Sequence, residues 1–185
     1  MSNDELDARG IFDAYFQFFA EETPRTFKDY EDRTLWTSRA TTALVHVGRF
    51  AFPNAEICAR GHATTNPWGR SEYLTLDVTL NDRDSWAPPL FIAEHENWGT
   101  KPRIQYDAWK LLSVYAKRRV LVAYWGKGTD FKTFNDLVAA VKEVCGGQAN
   151  KDILLIGGQA NARPQTAEQF RNAHETSIVG VMRAS

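Results

Sequence analysis

The stretch LFIAEHENWG, from Leu90 to Gly99, begins like a buried β-strand and ends with two glutamates around a histidine. Because successive side chains of a strand point to opposite faces, we expect Glu94 and Glu96 on one face and His95 on the other. Two neighbouring carboxylates repel each other unless a cation lies near both. The stretch therefore predicts a cation beside the two glutamates, whereas His95 is expected to be a packing residue of the core.

The preceding segment, YLTLDVTL from Tyr73 to Leu80, alternates apolar and polar side chains with the two-residue period of a strand. Its polar face is predicted to carry Asp77 at the middle. Its aliphatic face is predicted to consist of Leu74, Leu76, Val78 and Leu80. The loop NDRDSWAPP is rich in turn residues, so the two strands are expected to form an antiparallel hairpin.

Apolar periodicity in the rest of the chain predicts alternating helices and strands. The predicted helices cover residues 11–22, 34–50, 101–116, 131–145 and 166–174. The further predicted strands cover residues 55–59, 118–126, 152–158 and 177–182. This order predicts an α/β protein with a central mixed β-sheet flanked by helices. We expect one domain over residues 1–185, with N-terminal helices in 1–54, a core in 55–126 and a C-terminal extension in 127–185.

The composition limits the classes of partner and compartment. Lys plus Arg (22) and Asp plus Glu (23) nearly cancel, so there is no overall attraction to nucleic acid or to an anionic membrane. Cys58 and Cys145 have no CxxC spacing, which argues against a disulfide framework or a zinc site. No run of 18 apolar residues occurs, and the N-terminus begins acidic. We therefore expect a soluble, cytoplasmic protein with no membrane partner.

If the two predicted strands pair, Asp77, Glu94 and Glu96 converge on one face near the strand ends. Carboxylate oxygens are the ligands that a hard divalent cation prefers, so these three residues are candidate ligands for Mg²⁺ or Mn²⁺. Alone, Asp77 is more typical of a structural strand residue, and Glu94-x-Glu96 is more typical of a solvated edge strand. The combination at matching strand positions favours a site.

These residues and their order resemble the PD-(D/E)xK nuclease superfamily. LTLDVTL supplies the aspartate position at Asp77, and IAEHEN supplies an acid-x-acid at Glu94 and Glu96. The helix IQYDAWKLLSVYAK and the strand RRVLVAYW fill the next two places, so the resemblance covers roughly Ala55 to Gly126. It implies a restriction-endonuclease-like core that hydrolyses phosphodiester bonds in DNA with Mg²⁺.

The sequence departs from the superfamily pattern at Glu96, where lysine is usual; some restriction endonucleases of the superfamily also carry glutamate there. Other members have the lysine displaced to the following helix, and the resemblance therefore implies Lys110 as the migrated catalytic lysine. Glu96 would be a third metal ligand or a general base. The first-helix acid of many members has no counterpart in residues 34–50, and neither Glu22 nor Glu56 is a convincing substitute.

Other readings stay open at this point. The fold could be retained as a catalytically inactive binding or scaffold protein, which the near-neutral charge favours. A glycoside hydrolase using Glu94 or Glu96 as general acid ranks lower, because adjacent carboxylates leave little room for two opposed roles. Pairing of two copies, or a partner protein that supplies specificity, is a further expectation.

Two groups of residues have both a binding and a structural interpretation. Lys117, Arg118 and Arg119 either contact phosphates or complement the C-terminus of the preceding helix. The tryptophans in loops or at strand ends either stack on exposed bases or pack in the core; they are Trp68, Trp98 and Trp125.

Overall fold

The computed structural model describes residues 8–21, 32–59, 75–82, 87–146, 151–160, 162, 164 and 166–180. Within these ranges the chain forms five helices and six strands. In chain order these are α1 (Ala8–Glu21), α2 (Arg33–Ala51), β1 (Glu56–Ala59), β2 (Val78–Asn81), β3 (Phe91–His95), α3 (Lys101–Ser113), β4 (Arg118–Trp125), α4 (Phe134–Cys145), β5 (Asp152–Gln159), α5 (Ala167–Asn172) and β6 (His174–Gly180).

The six strands form one sheet in the order β1-β2-β3-β4-β5-β6. The central strands β3, β4 and β5 are parallel, and β1, β2 and β6 run antiparallel to their neighbours. Parallel neighbours need a crossover connection, which α3 supplies between β3 and β4 and α4 supplies between β4 and β5. The predicted mixed sheet flanked by helices is therefore confirmed, as is the β2–β3 hairpin.

Each face of the sheet has its own hydrophobic core. Helices α1, α2 and α5 pack on one face around Tyr15, Trp36 and Phe170. Helices α3 and α4 pack on the other face around Leu111 and Leu137. Strand β3 lies between the two cores and is buried along its whole length, so any charged side chain on it must find its partners inside the protein.

The predicted strand from Tyr73 to Leu80 is shorter than its pattern suggests. Strand β2 begins only at Val78, Thr75 has a positive φ of 61°, and the chain bends at Asp77. Leu76 consequently packs in the α3 and α4 core, whereas Val78 packs in the opposite core. The predicted single aliphatic face is therefore wrong at Leu76, because the bend reverses the direction of the side chains; Leu74 lies outside the described residues.

Three helix boundaries also differ from the predictions. Helix α3 ends at Ser113, three residues before the predicted end at residue 116, and Tyr115 is 71% exposed. Helix α4 begins after Thr133, whose side chain forms a capping box with Asp136, and this places Phe131 before the helix. His174 begins strand β6 and pairs with Gly158 instead of ending a helix. None of the described helices combines the length and apolar character needed to cross a bilayer.

Candidate functional site

A cleft of about 600 Å³ opens at the carboxyl end of β3. The segments that line it are the first half of α2, the bend before β2, the residues that follow β3, and one side of α3. The acidic lining residues are Asp77, Glu94, Glu96 and Asp107, and the basic ones are Arg103 and Lys110. The structure thus brings all four sequence-predicted site residues, Asp77, Glu94, Glu96 and Lys110, into one cleft.

The β2–β3 register places Asp77 beside Glu94. Val78 pairs with Ala93 in this antiparallel ladder, so the next position outward brings Asp77 opposite Glu94 on the same face. The Oδ2 atom of Asp77 accepts a hydrogen bond from the backbone N–H of His95 at 2.9 Å. The Asp77 side chain therefore replaces the backbone hydrogen bond that would extend the hairpin beyond Val78. This contact fixes its carboxylate at the cleft.

Glu94 is the most deeply buried acid of the site. It is 3% exposed, and its Oε1 atom lies 2.7 Å from the Nζ atom of Lys110, although the contact lacks hydrogen-bond geometry. The same ammonium lies 2.9 Å from Oδ1 of Asp107 and 3.4 Å from the carbonyl oxygen of Thr75. Lys110 is consequently shared between a strand acid and an acid one turn earlier on its own helix.

Glu96 occupies a more open position at the mouth of the cleft. Its Oε1 atom accepts a hydrogen bond from the backbone N–H of Trp98 at 2.6 Å, which closes a short turn after β3. Burial, and to a smaller extent the charge of Asp107, raise the pKa of Glu96. Glu96 is therefore oriented by the turn and lines the same cleft as Asp107 of α3, while part of its side chain still reaches solvent.

The carboxyl groups carry more negative charge than the site compensates. Burial, together with the charges of Asp77 and Asp107, raises the pKa of Glu94 to about 9, against the opposing effect of Lys110. Burial is also the main reason that the pKa values of Asp77, Glu96 and Asp107 are raised. The cluster therefore favours uptake of a proton or of another cation.

Lys110 remains the charged partner of this cluster. Burial lowers its pKa, but the negative charges of Glu94 and Asp107, at 2.7 and 2.9 Å, outweigh burial and raise the pKa above its usual value. This effect requires ionised carboxylates beside it, whereas the raised pKa of Glu94 favours the neutral acid. Lys110 is therefore charged, and the raised carboxyl pKa values reflect the excess negative charge of the cluster.

His95, between the two glutamates, also lines the cleft, but its ring is directed away from the acids. His95 points to the opposite face, where its Nε2 atom is 2.9 Å from the hydroxyl of Tyr124, which also accepts a hydrogen bond from the Trp36 indole. Burial lowers the pKa of His95 to about 3, so the imidazole is neutral. Its expected role as a packing residue of the core agrees with this position.

The α2 wall of the cleft carries hydroxyl groups and no carboxylate. Thr34, Thr37, Ser38 and Thr41 line it, and the Asn97 side chain donates a hydrogen bond to Thr37. The acid that many members of the nuclease superfamily carry on their first helix therefore has no counterpart on α2. Glu56 lies on β1 and does not line the cleft, and Glu22 lies outside the described residues.

Sequence reasoning missed Asp107 and Arg103. Both precede Lys110 on α3, at spacings of three and seven residues, which place all three side chains on one face of the helix. This spacing was the signal that could have identified them once Lys110 was considered as a site residue.

For some of the basic residues at positions 117–119 and some of the tryptophans, the structure distinguishes a structural role from an exposed position. The Arg119 side chain donates to the carbonyl oxygens of Leu111 at 2.9 Å and Val114 at 3.0 Å, so it caps the end of α3. Trp125 is buried, whereas Trp98 is 54% exposed at the cleft. Trp68 lies outside the described residues.

Among the described residues, no three Asp, Glu, His or Cys side chains form a preformed metal-binding group. The acids share a cleft, but Glu94 is held by the Lys110 ammonium. Any metal ion would therefore need a rearrangement of these side chains.

Comparison with protein-family models, with curated proteins and with solved structures gives no match. The chemistry of the cleft must therefore be inferred from its own geometry and charge.

Proposed function

We propose that this protein is a metal-dependent nuclease-like hydrolase that cleaves phosphodiester bonds in DNA. The observation that supports this most directly is the gathering of Asp77, Glu94, Glu96 and Asp107 in one cleft with Lys110. Acids with raised pKa values that surround a single lysine in a concave site are typical of functional sites. We propose a restriction-endonuclease-like core on the same ground, together with the sequence resemblance to the PD-(D/E)xK superfamily.

The chemistry of the donors fits Mg²⁺ or Mn²⁺. Asp77, Glu94 and Glu96 offer only oxygen atoms, and the excess negative charge of the cluster would be relieved by a divalent cation. In this proposal the three acids hold the metal, which when bound activates water and neutralises charge on the scissile phosphate.

The chain's own residues would divide the remaining tasks. Lys110 orients Glu94 now, and its ammonium would stabilise negative charge on a phosphate that enters the cleft. Glu96 is only half-buried and its pKa is raised, mainly by burial, so general base is the alternative to its role as the third metal ligand. Asp107 keeps Lys110 in place through its contact at 2.9 Å and is thus a positioning residue.

A second candidate function is a catalytically inactive nuclease-fold protein that binds or scaffolds. The observation that favours it is the ion pair between Lys110 and Glu94, because the ammonium lies against a carboxylate that is proposed to bind the metal. The described part of the chain also contains no preformed group of three ligands. In this alternative Lys110 replaces the metal permanently.

A cleavage assay separates the two candidates. Plasmid DNA, linear duplex DNA, single-stranded DNA and RNA would each be incubated with the protein and Mg²⁺ or Mn²⁺. We expect metal-dependent cleavage of DNA that is lost with Glu94→Gln and retained with Glu175→Gln, an exposed glutamate on β6. No cleavage, or equal cleavage by both variants, would exclude the hydrolase and leave the scaffold. Size-exclusion chromatography with light scattering would test the expected pairing of two copies.

A further inference from the structure

Three large aromatic side chains are exposed on the cleft or on the helix that borders it; Trp98 lines the cleft, whereas Tyr106 and Trp109 lie next to its lining residues Asp107 and Lys110 in sequence. Trp98 is 54% exposed, Tyr106 is 56% exposed and Trp109 is 51% exposed. Trp98 belongs to the turn after β3, and the other two lie on α3, the helix that carries Asp107 and Lys110. We call these three residues the aromatic edge.

The rings of the aromatic edge are ordered by one another and by cations of the site. Tyr106 and Trp109 stack with their centroids 5.8 Å apart and their planes 24° apart. The Lys110 ammonium lies 5.3 Å from the Tyr106 ring centroid, and the Arg103 guanidinium lies 5.0 Å from that of Trp98. The aromatic edge is therefore joined to the acidic cleft through two residues that also line the cleft.

The charge of the cleft limits how a nucleic acid can be bound there. Four acids face two cations in the lining, and the net charge of the chain is −1, so attraction to phosphates is weak. Ring stacking does not depend on net charge, and every base offers a π-face to an aromatic side chain. In a duplex these base faces are covered by neighbouring bases, whereas in a single strand they are accessible.

We infer that the aromatic edge is a stacking platform for unpaired bases, so that the nucleic acid bound at this cleft is single-stranded DNA. This inference rests on the proposed function for the identity of the cleft and specifies its substrate class. Stacking of bases on the Tyr106 and Trp109 side of α3 would lead the adjoining backbone toward Lys110. Arg103, beside Trp98, would contact the strand at the other end of the edge.

Fluorescence anisotropy with a short labelled oligodeoxynucleotide tests the inference. The titrations would be made in EDTA so that binding is measured without cleavage. Three probes are compared: the single strand, an abasic strand of equal length, and the same sequence as a duplex. We expect the single strand to bind most tightly, since the abasic strand keeps the phosphates but lacks the bases.

The variants isolate the aromatic edge from other exposed rings. Trp109→Ala is expected to weaken single-strand binding by roughly ten-fold, the loss of about one stacked base. Tyr115→Ala is the matched control, because Tyr115 is 71% exposed beyond the end of α3, five residues after the lining residue Lys110, whereas Trp109 directly precedes Lys110 on the helix. Equal binding of the abasic strand, a preference for duplex, no binding of any oligonucleotide, or equal effects of the two substitutions would overturn the inference.

Failure of the inference and failure of the proposed function give different results. If single-strand binding depends on Trp109 but no DNA is cleaved with Mn²⁺, the platform stands and the hydrolase fails. If DNA is cleaved and Trp109→Ala changes neither binding nor the rate on single strands, the hydrolase stands and the platform fails.

Discussion

Glu94 and His95 are adjacent in sequence and both buried, yet the side chains around them differ in charge on the two faces of strand β3. Glu94 faces α3, where Asp77 and Asp107 crowd it and the Lys110 ammonium offsets part of their charge. His95 faces α2, where a neutral hydrogen-bonded contact with Tyr124 is sufficient. Burial alone therefore does not explain why charged groups gather on the face of Glu94. A neutral arrangement was available on the same strand, so the charged cluster favours a functional role over a packing role.

The largest effect is expected from removing the ammonium. In Lys110→Met, Glu94 and Asp107 lose the cation at 2.7 and 2.9 Å, so each must either take up a proton or remain as uncompensated buried charge, which is costly. We predict a loss of about 3 kcal/mol in the free energy of unfolding at neutral pH, measured by urea denaturation. Lys142→Met on the exposed side of α4 is the control and should change little. Equal stability of the two variants would mean that the two faces do not differ electrostatically.

The pH dependence of stability should distinguish the faces next. The pKa of Glu94 in the folded protein, about 9, lies above its value in the unfolded chain, so folding takes up a proton. Its contribution to stability is complete below about pH 4.5 and is lost as the pH rises toward 9. Glu94→Gln should therefore flatten the alkaline side of a plot of unfolding free energy against pH, by on the order of 1 kcal/mol per pH unit. Glu175→Gln should leave it unchanged.

The histidine face should respond in the opposite direction. The pKa of His95 in the folded protein is lowered to about 3 by burial, below that of the unfolded chain. Its contribution is complete above about pH 6.5 and is lost as the pH falls. His95→Gln should therefore flatten the acidic side of the same plot, and His46→Gln, an exposed control on α2, should not. The pKa of His174 is also lowered by burial, to about 4, so part of the acidic slope will remain in His95→Gln. An acidic slope as steep as that of the wild-type protein would contradict the assigned contribution of His95.

The smallest effect is expected on the neutral face. Tyr124→Phe removes a hydroxyl that contacts His95 Nε2 and accepts from Trp36, while the ring remains in the core. We predict a loss of about 1 kcal/mol in unfolding free energy, with no change in metal binding or DNA cleavage. A change in cleavage comparable with that of Glu94→Gln would show that the two faces are coupled.

Much of this comparison could be predicted from the sequence. The two-residue period of a strand placed Glu94 and His95 on opposite faces, and helical periodicity identified the elements around them. The bend at Asp77 could not be predicted, because the positive φ of Thr75 has no glycine or asparagine to announce it. The alternation of YLTLDVTL instead favoured a continuous strand.

The candidate site was predictable in part for a similar reason. Asp77, Glu94 and Glu96 follow from strand parity, and Lys110 follows from the resemblance to a nuclease superfamily. Asp107 was missed because its role depends on the depth at which α3 packs, which determines that Lys110 reaches both acids. Local sequence patterns do not predict how deeply a helix packs against the sheet.

Isothermal titration calorimetry with Mg²⁺ and Mn²⁺ tests the central claim most directly, namely that the acids of the β3 cleft are gathered to bind a divalent cation. We predict binding in the millimolar range or tighter by the wild-type protein, lost in Asp77→Asn and retained in Asp152→Asn, an exposed control at the start of β5. No heat of binding in the wild-type protein, or equal binding by both variants, would contradict it.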